Sequence, residues 1–238
     1  MLIKDRKPKG DIRSSGYYRC IGMEGAASLI QKSHSTVIGN GNELEDLIYE
    51  YSSHLNKFKK EQAYDTKATT KFDLRVEDAF IVKFKMERKE VNEKGKKKKI
   101  DCDAVLVQPD KITLFEIKDG ADFDTKKSEG EYRKLHEATG LVEEQDPLKR
   151  KCDFKFVSWN VNDVSEISLK YEPAKPHLMT GRDFAQLTGV DYKKLNAKRE
   201  EDRKANGEYV IEEMKNILHA RGWVVLPHVE ELVNETIL

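Results

Sequence analysis

The spacing of apolar residues divides the chain into helical and extended segments. From Asn42 onward, apolar residues recur at intervals of three and four, which predicts an amphipathic helix. Its apolar face carries Leu44, Leu47, Ile48, Tyr51, Leu55 and Phe58. We expect Asn42 to cap this helix, with acidic side chains favourably placed in its first turn.

Beyond residue 79 the apolar residues alternate with polar ones, as in β-strands. Strands are predicted over 80–87, 100–107 and 112–118. Short turns at 92–96 and 108–111 join them, which indicates an antiparallel meander. A helix over 126–139 and a strand over 154–161 follow, so the predicted order is helix, three strands, helix, strand.

The pattern changes again near residue 175, after two prolines. The remainder predicts helices over 180–204 and 207–221. We therefore expect three regions: a basic N-terminal arm over 1–40, a core domain over 41–175, and a mainly helical region over 176–238. Within the last region, the segment 183–195 resembles a helix-turn-helix. Ala185 would allow close helix packing there, Gly189 would form the turn, and Leu195 would face the core.

Composition restricts the partners only weakly. The 238 residues carry 43 basic and 43 acidic side chains and a formal net charge of +0, so only local charge can indicate a nucleic-acid partner. Three cysteines lack paired spacing, and neither a long apolar run nor a signal-peptide pattern is present. These features predict a cytoplasmic protein with no membrane partner; we also expect it to be prokaryotic or phage-encoded. A phosphate-binding glycine loop is also absent, so no nucleotide cofactor is expected.

The most informative residues lie on the second and third predicted strands. Glu116 and Lys118 are two apart in a strand and therefore share a face. Asp103, on the neighbouring strand, approaches the same point across the hairpin. Two carboxylates can bind Mg²⁺, which activates water and neutralises phosphate charge. A nearby lysine can orient or deprotonate the attacking water, and the carbonyl of Ile117 can complete the metal shell.

This arrangement resembles the core of the PD-(D/E)xK nuclease superfamily, and most of all its type II restriction endonucleases. Twelve residues separate Asp103 from Glu116, an interval usual in RecB-like members of the superfamily. Upstream, the segment 41–45 is similar to the motif that begins the superfamily's first helix, which implies that Glu45 is an accessory metal ligand, acting directly or through water.

The resemblance covers roughly residues 40–162 and implies an α/β fold. That fold is a restriction-endonuclease-like core, in which helices flank a mixed central sheet in the order α-β-β-β-α-β, with a mainly helical C-terminal part. It also implies one or two Mg²⁺ per active site. The superfamily's Pro-Asp pair reads Cys102-Asp103 here, and Asp101 remains an alternative ligand that the spacing favours less. The Q-x-x-x-Y positions of RecB-like members fall on Ser128 and Tyr132, half a match.

Two clusters of cations are candidates for DNA contact. The N-terminal segment combines cations, hydroxyls and aromatic rings, and the predicted second helix of the helix-turn-helix is basic. The candidate DNA-binding residues are Arg13, Arg19, Lys193, Lys194, Asn196, Lys198 and Arg199. For the first cluster, a disordered start of the chain or a tail packed on a partner subunit is an equal alternative. An ordinary solvated helix face remains the alternative for the second cluster, since acidic residues follow it.

We therefore expect a Mg²⁺-dependent endonuclease acting on double-stranded DNA, a type II restriction enzyme working as a homodimer. One alternative is a phage or DNA-repair nuclease acting on ends, single strands or branched DNA. Another, from a different class, is a non-catalytic DNA-binding module that keeps the nuclease fold.

Overall fold

The computed structural model describes residues 1–52, 80–91, 97–122, 125–146, 148–168 and 171–223. The helices are α1 (Gly16–Ile21), α2 (Glu24–Glu50), α3 (Thr125–Gln145), α4 (Gly181–Thr188) and α5 (Tyr192–His219). The strands are β1 (Phe80–Val91), β2 (Lys97–Val107), β3 (Lys111–Lys118), β4 (Lys151–Ser158) and β5 (Leu178–Thr180). None of the helices in these ranges is long and apolar enough to cross a membrane.

The strands form one mixed sheet in the order β1-β2-β3-β4-β5. The first three strands are antiparallel, as the short turns predicted, and β4 and β5 run parallel to β3. This confirms the predicted α/β class, with a mixed sheet, flanking helices and a helical C-terminal region. Strand β5 was not predicted, because three residues are too few to show an alternating pattern.

Helix α3 covers one face of the sheet. Its apolar stripe, Leu135, Ala138 and Val142, is buried against side chains of β2, β3 and β4. The strand residues in this core are Ile100, Cys102, Val105, Val107, Ile112, Leu114, Phe154 and Phe156. The spacing of the helical stripe is that of one helix face, which explains why the sequence predicted a helix here.

Aromatic side chains on β3, after β4 and on α4 form a second buried group. The ring of Phe184 lies edge-on to Phe115, with centroids 4.9 Å apart, and 6.2 Å from Trp159. Gly181 begins α4 directly against the Trp159 backbone, where a Cβ atom would lie 2.5 Å from the Trp159 carbonyl oxygen. Only glycine allows this close approach of α4 to the end of β4.

The described chain divides into two compact units. Leu44–Tyr192 contains the whole sheet, and the other unit combines Met1–Glu43 with the chain from Lys193 onward. The predicted division into the regions 1–40, 41–175 and 176–238 stays a prediction.

The N-terminal segment is tied to α5 within its own unit. The Ile3 amide donates to the Asn206 side chain at 2.7 Å, and the ammonium of Lys32 lies 3.0 Å from the Tyr209 hydroxyl. The predicted end of a helix at 204 was wrong, because α5 continues through Asn206 and Gly207 to His219.

Helix α2 begins at Glu24, so the prediction that Asn42 caps it was wrong. Residues 39–42 read Gly-Asn-Gly-Asn, which disfavours helix locally. Tertiary packing overrides this weak propensity. The predicted stripe residues from Leu44 to Ile48 are buried, whereas Leu55 and Phe58 lie outside the described residues.

Candidate active site

Asp103 lies at an irregularity of strand β2. Val82 of β1 is aligned with Val105, whereas Phe84 is aligned with Cys102, so β2 contains one residue more than β1 over this stretch. Cys102 and Val105 both belong to the core under α3. Residues three apart in a regular strand would face opposite sides. A β-bulge at positions 103–104 therefore interrupts the simple alternation that the sequence analysis assumed.

Neighbouring elements hold both the side chain and the backbone of Asp103. The Ile117 amide donates to Asp103 Oδ2 at 2.6 Å, and the buried Tyr49 hydroxyl donates to the Asp103 carbonyl at 2.7 Å. Burial, and after it the negative charge of Glu116, raise the pKa of Asp103 to about 7. Ionising Asp103 is therefore costly in the metal-free protein, and a cation bound at its carboxylate would relieve that cost.

Glu116 is a buried carboxylate with an ammonium group on each oxygen. Its side chain lies near the end of β3 and the residue is 5% exposed. Lys118 Nζ is 2.7 Å from Oε1, and Lys134 Nζ is 2.9 Å from Oε2. Burial acts to raise the pKa of Glu116, but the charges and hydrogen bonds of the two lysines outweigh it and lower that pKa. Glu116 is therefore ionised inside the fold.

Lys118 binds two carboxylates. Besides Glu116, its ammonium lies 3.2 Å from Glu131 of α3. Burial acts to lower the pKa of Lys118, but Glu116 and Glu131 outweigh it and raise the pKa above its ordinary value. Lys118 thus keeps its proton in the metal-free site, which fits charge stabilisation better than the proton-abstracting role that the sequence analysis allowed.

The two other acidic candidates, Glu45 and Asp101, differ in whether they lie close to the carboxylate of Asp103. Glu45 precedes Tyr49 by one helical turn on α2, hence on the same helix face, and its charge contributes to the raised pKa of Asp103. Asp101 is exposed on β2, and its charge acts on Lys134. Of the two aspartates, Asp103 is the one whose carboxylate reaches the end of β3, through the Ile117 amide.

Glu131 and Lys134 are two site residues that the sequence analysis missed. Both lie on α3, on the side that faces the end of β3, where their side chains meet Lys118 and Glu116. One signal was available: charged residues stand at 131 and 134, beside the apolar stripe that continues through Leu135. Ser128, at one Q-x-x-x-Y position, is buried, and Tyr132 packs against Phe154.

The donors at this point fit a hard divalent cation. Asp103 and Glu116 provide carboxylate oxygens, the ligand type that Mg²⁺ prefers, and Mg²⁺ often uses only one or two carboxylates plus water and phosphate. Among the described residues, no group of three or more acidic, histidine or cysteine side chains forms a ready-made metal cage.

The candidate DNA-binding residues lie in the unit formed by both chain ends. Arg13 pairs with Glu24 at 2.9 Å, and Arg19 is exposed on α1. The others lie along the first turns of α5, where Lys198 contacts Glu201 and Asp202 at 3.3 and 2.9 Å.

The predicted helix-turn-helix falls on two consecutive helices. Helices α4 and α5 are separated by three residues, and Gly189 has a φ of 66°, as a turn glycine requires. Ala185 and Leu195 are buried. Contact of this segment with DNA stays a prediction.

The chain is similar to a known restriction enzyme over most of its length. It is 29% identical over 213 residues to the type II restriction enzyme HhaII of Haemophilus parahaemolyticus, and the match covers 87% of this chain and 91% of that enzyme. This similarity supports a relationship to restriction endonucleases. No protein-family model matches the chain, and no solved structure matches it significantly.

Proposed function

We propose that this protein is a Mg²⁺-dependent type II restriction endonuclease, which hydrolyses phosphodiester bonds at specific sequences of double-stranded DNA. The similarity to HhaII over most of both chains supports the enzyme class. The observation that carries the proposal is the buried Glu116, ionised beside Asp103 and Lys118 at the end of β3. A charge cluster placed in this way suits the hydrolysis of a phosphodiester.

Each residue of the cluster has a distinct role in this proposal. Asp103 and Glu116 would hold Mg²⁺, together with the Ile117 carbonyl, and Glu45 would act directly or through water. When bound, the metal supplies charge neutralisation at the phosphate and a water molecule of lowered pKa. Lys118 keeps a positive charge beside the reacting phosphate and offsets the negative charge that develops there.

The remaining contacts keep the carboxylates in place before any substrate binds. The Ile117 amide orients the carboxylate of Asp103, and the Tyr49 hydroxyl holds its backbone. Such preorganised groups lower the barrier because they need little rearrangement during the reaction.

The rest of the proposal concerns the substrate and the assembly. The cations of α1 and α5 would contact DNA phosphates or bases, and a homodimer would match a palindromic site and cut both strands.

Incubation of plasmid and linear phage DNA with the purified protein, with Mg²⁺ or with EDTA, tests the function. We expect discrete fragments with Mg²⁺ and none with EDTA. End-dependent degradation would indicate the repair-nuclease alternative instead. Binding of DNA without cleavage in the presence of any divalent metal would indicate a non-catalytic DNA-binding module.

A charge-matched pair of variants tests the site within the same assay. Glu116→Gln should lower the cleavage rate by at least roughly 10²-fold, since it removes a buried charge at the reacting centre. Glu129→Gln removes the same charge from an exposed ion pair on α3 and should cleave at the wild-type rate. Equal rates in the two variants would contradict the proposed site.

A further inference from the structure

The ammonium of Lys134, on α3, contacts the carboxylate that we assign to the metal. Both oxygens of Glu116 accept hydrogen bonds from ammonium groups, at 2.7 Å from Lys118 and 2.9 Å from Lys134. A divalent cation bound to Glu116 would share these oxygens with the two ammonium groups, and their positive charges would repel it. A metal therefore binds more favourably at Glu116 when one ammonium moves away.

The two lysines differ in how firmly they are held. Lys118 lies on β3 and has a second carboxylate partner, Glu131, at 3.2 Å. Lys134 lies on a helix and has one carboxylate partner among the described residues, Glu116. Its side chain is 26% exposed, against 36% for Lys118, so the number of partners and not the exposure distinguishes the two lysines. The long, partly exposed side chain of Lys134 can therefore turn away from Glu116 without moving the backbone.

We infer that Lys134 is a positioning residue: its ammonium holds Glu116 in the metal-free protein and is displaced when a divalent cation binds. The inference rests on the proposed function, because it assigns Glu116 to the metal. In the free protein Lys134 competes with the metal and weakens its binding. DNA offers the displaced ammonium a phosphate as its new partner, so metal and DNA bind more favourably together than separately.

Metal binding without DNA distinguishes this role from a purely structural one. Mn²⁺ alone would be titrated calorimetrically into the full-length wild-type protein and into the Lys134→Gln variant. The matched control is Arg133→Gln, which removes the same charge from the neighbouring, exposed position on α3. We expect Lys134→Gln to bind Mn²⁺ about tenfold more tightly than the wild type, and Arg133→Gln to bind it with wild-type affinity. A structural role would weaken binding, so affinity equal to or below that of Arg133→Gln would overturn the inference.

Thermal unfolding provides a second readout that also checks folding. In EDTA, Lys134→Gln should unfold at a lower temperature than Arg133→Gln, because Glu116 loses one of its two cations. Added Mn²⁺ should raise the unfolding temperature of Lys134→Gln more than that of the wild type. The same increase in both proteins would contradict the displacement of Lys134.

Glu116→Gln separates failure of this inference from failure of the proposed function. If Mn²⁺ binding persists in Glu116→Gln, or is absent from every variant, the metal site itself is wrong and both proposals fall. If binding is lost in Glu116→Gln but is not tightened in Lys134→Gln, only the role of Lys134 is wrong.

Discussion

Two buried charge clusters lie at opposite ends of the strands β3 and β4. Near the start of β4, Arg150 binds Asp146 through two side-chain contacts, at 2.9 Å from Oδ2 and 2.7 Å from Oδ1. These two side chains are 2% and 0% exposed. Near the end of β3, the cluster around Glu116 also contains a second carboxylate, that of Asp103, within reach of its charge.

The two clusters satisfy their charges differently. Burial acts to raise the pKa of Asp146, but its hydrogen bonds to Arg150 outweigh that effect and lower it, so the pair is complete by itself. In the other cluster the pKa of Glu116 is lowered while that of Asp103 is raised to about 7. The Asp146–Arg150 pair is thus neutralised within itself, whereas the two carboxylates of the other cluster are neutralised unequally. We propose that this difference favours the arrival of a further cation at the second cluster.

The largest expected effect is the loss of cleavage when Asp103, in the cluster near Glu116, is replaced. We expect Asp103→Asn to lower the cleavage rate by at least roughly 10²-fold, because the uncharged amide of asparagine binds a metal ion much more weakly than a carboxylate does. Asp101→Asn, on the exposed side chain two residues earlier, should stay within about tenfold of the wild-type rate, because a surface substitution perturbs its surroundings little. Rates on a cleavable plasmid decide between them, and the opposite order would assign the metal to Asp101.

Asp103→Asn should not weaken the fold. At pH 8 most of Asp103 is ionised, and its raised pKa means that the fold disfavours this form relative to the unfolded chain, so the free energy of unfolding there should be unchanged or higher in the variant. Denaturant unfolding in EDTA measures it.

Breaking the Asp146–Arg150 pair should lower the stability of the fold and not the activity. Asp146→Asn leaves a buried guanidinium without its counter-charge, which typically costs about 3–5 kcal/mol of unfolding free energy. Glu129→Gln, in the exposed pair with Arg133, should cost less than about 1 kcal/mol. Chemical denaturation compares the two variants. Loss of cleavage by Asp146→Asn under conditions where it remains folded would contradict the separation of the two clusters.

The sequence was sufficient to predict the convergence of Asp103, Glu116 and Lys118 at one point. Short turns determine which strands are neighbours, and strand periodicity places Glu116 and Lys118 on one face. The order of helices and strands along the chain followed from the same local patterns, whereas the α/β class was implied by the resemblance to PD-(D/E)xK nucleases.

Other features depend on contacts between distant segments, which local patterns do not encode. Lys134 reaches Glu116 only because α3 packs across β3, and the bulge at Asp103 depends on the pairing of β2 with β1. The start of α2 at Glu24 was obscured by Gly39 and Gly41, whose weak helix propensity packing overrides.

The smallest expected effect is the pH dependence of stability in the metal-free protein, which depends directly on how the two clusters differ in charge. The pKa of Asp103 rises from 3.8 in the unfolded chain to about 7 in the fold. Between these values the folded state holds more protons than the unfolded state, so stability from this group falls as pH increases. Asp146, whose pKa is lowered, contributes stability that is present above its unfolded pKa and lost on acidification.

Unfolding of the wild type and of Asp103→Asn should therefore be measured in EDTA at pH values from 5 to 8. The wild type should lose about 1–2 kcal/mol relative to the variant over this range, a fraction of what the full pKa shift would give, because Lys118 and solvent offset part of the cost of ionisation. Parallel curves would mean that Asp103 is already fully neutralised by its neighbours. In that case the cluster at the end of β3 would resemble the closed Asp146–Arg150 pair, and the physical reason for expecting a cation there would be lost.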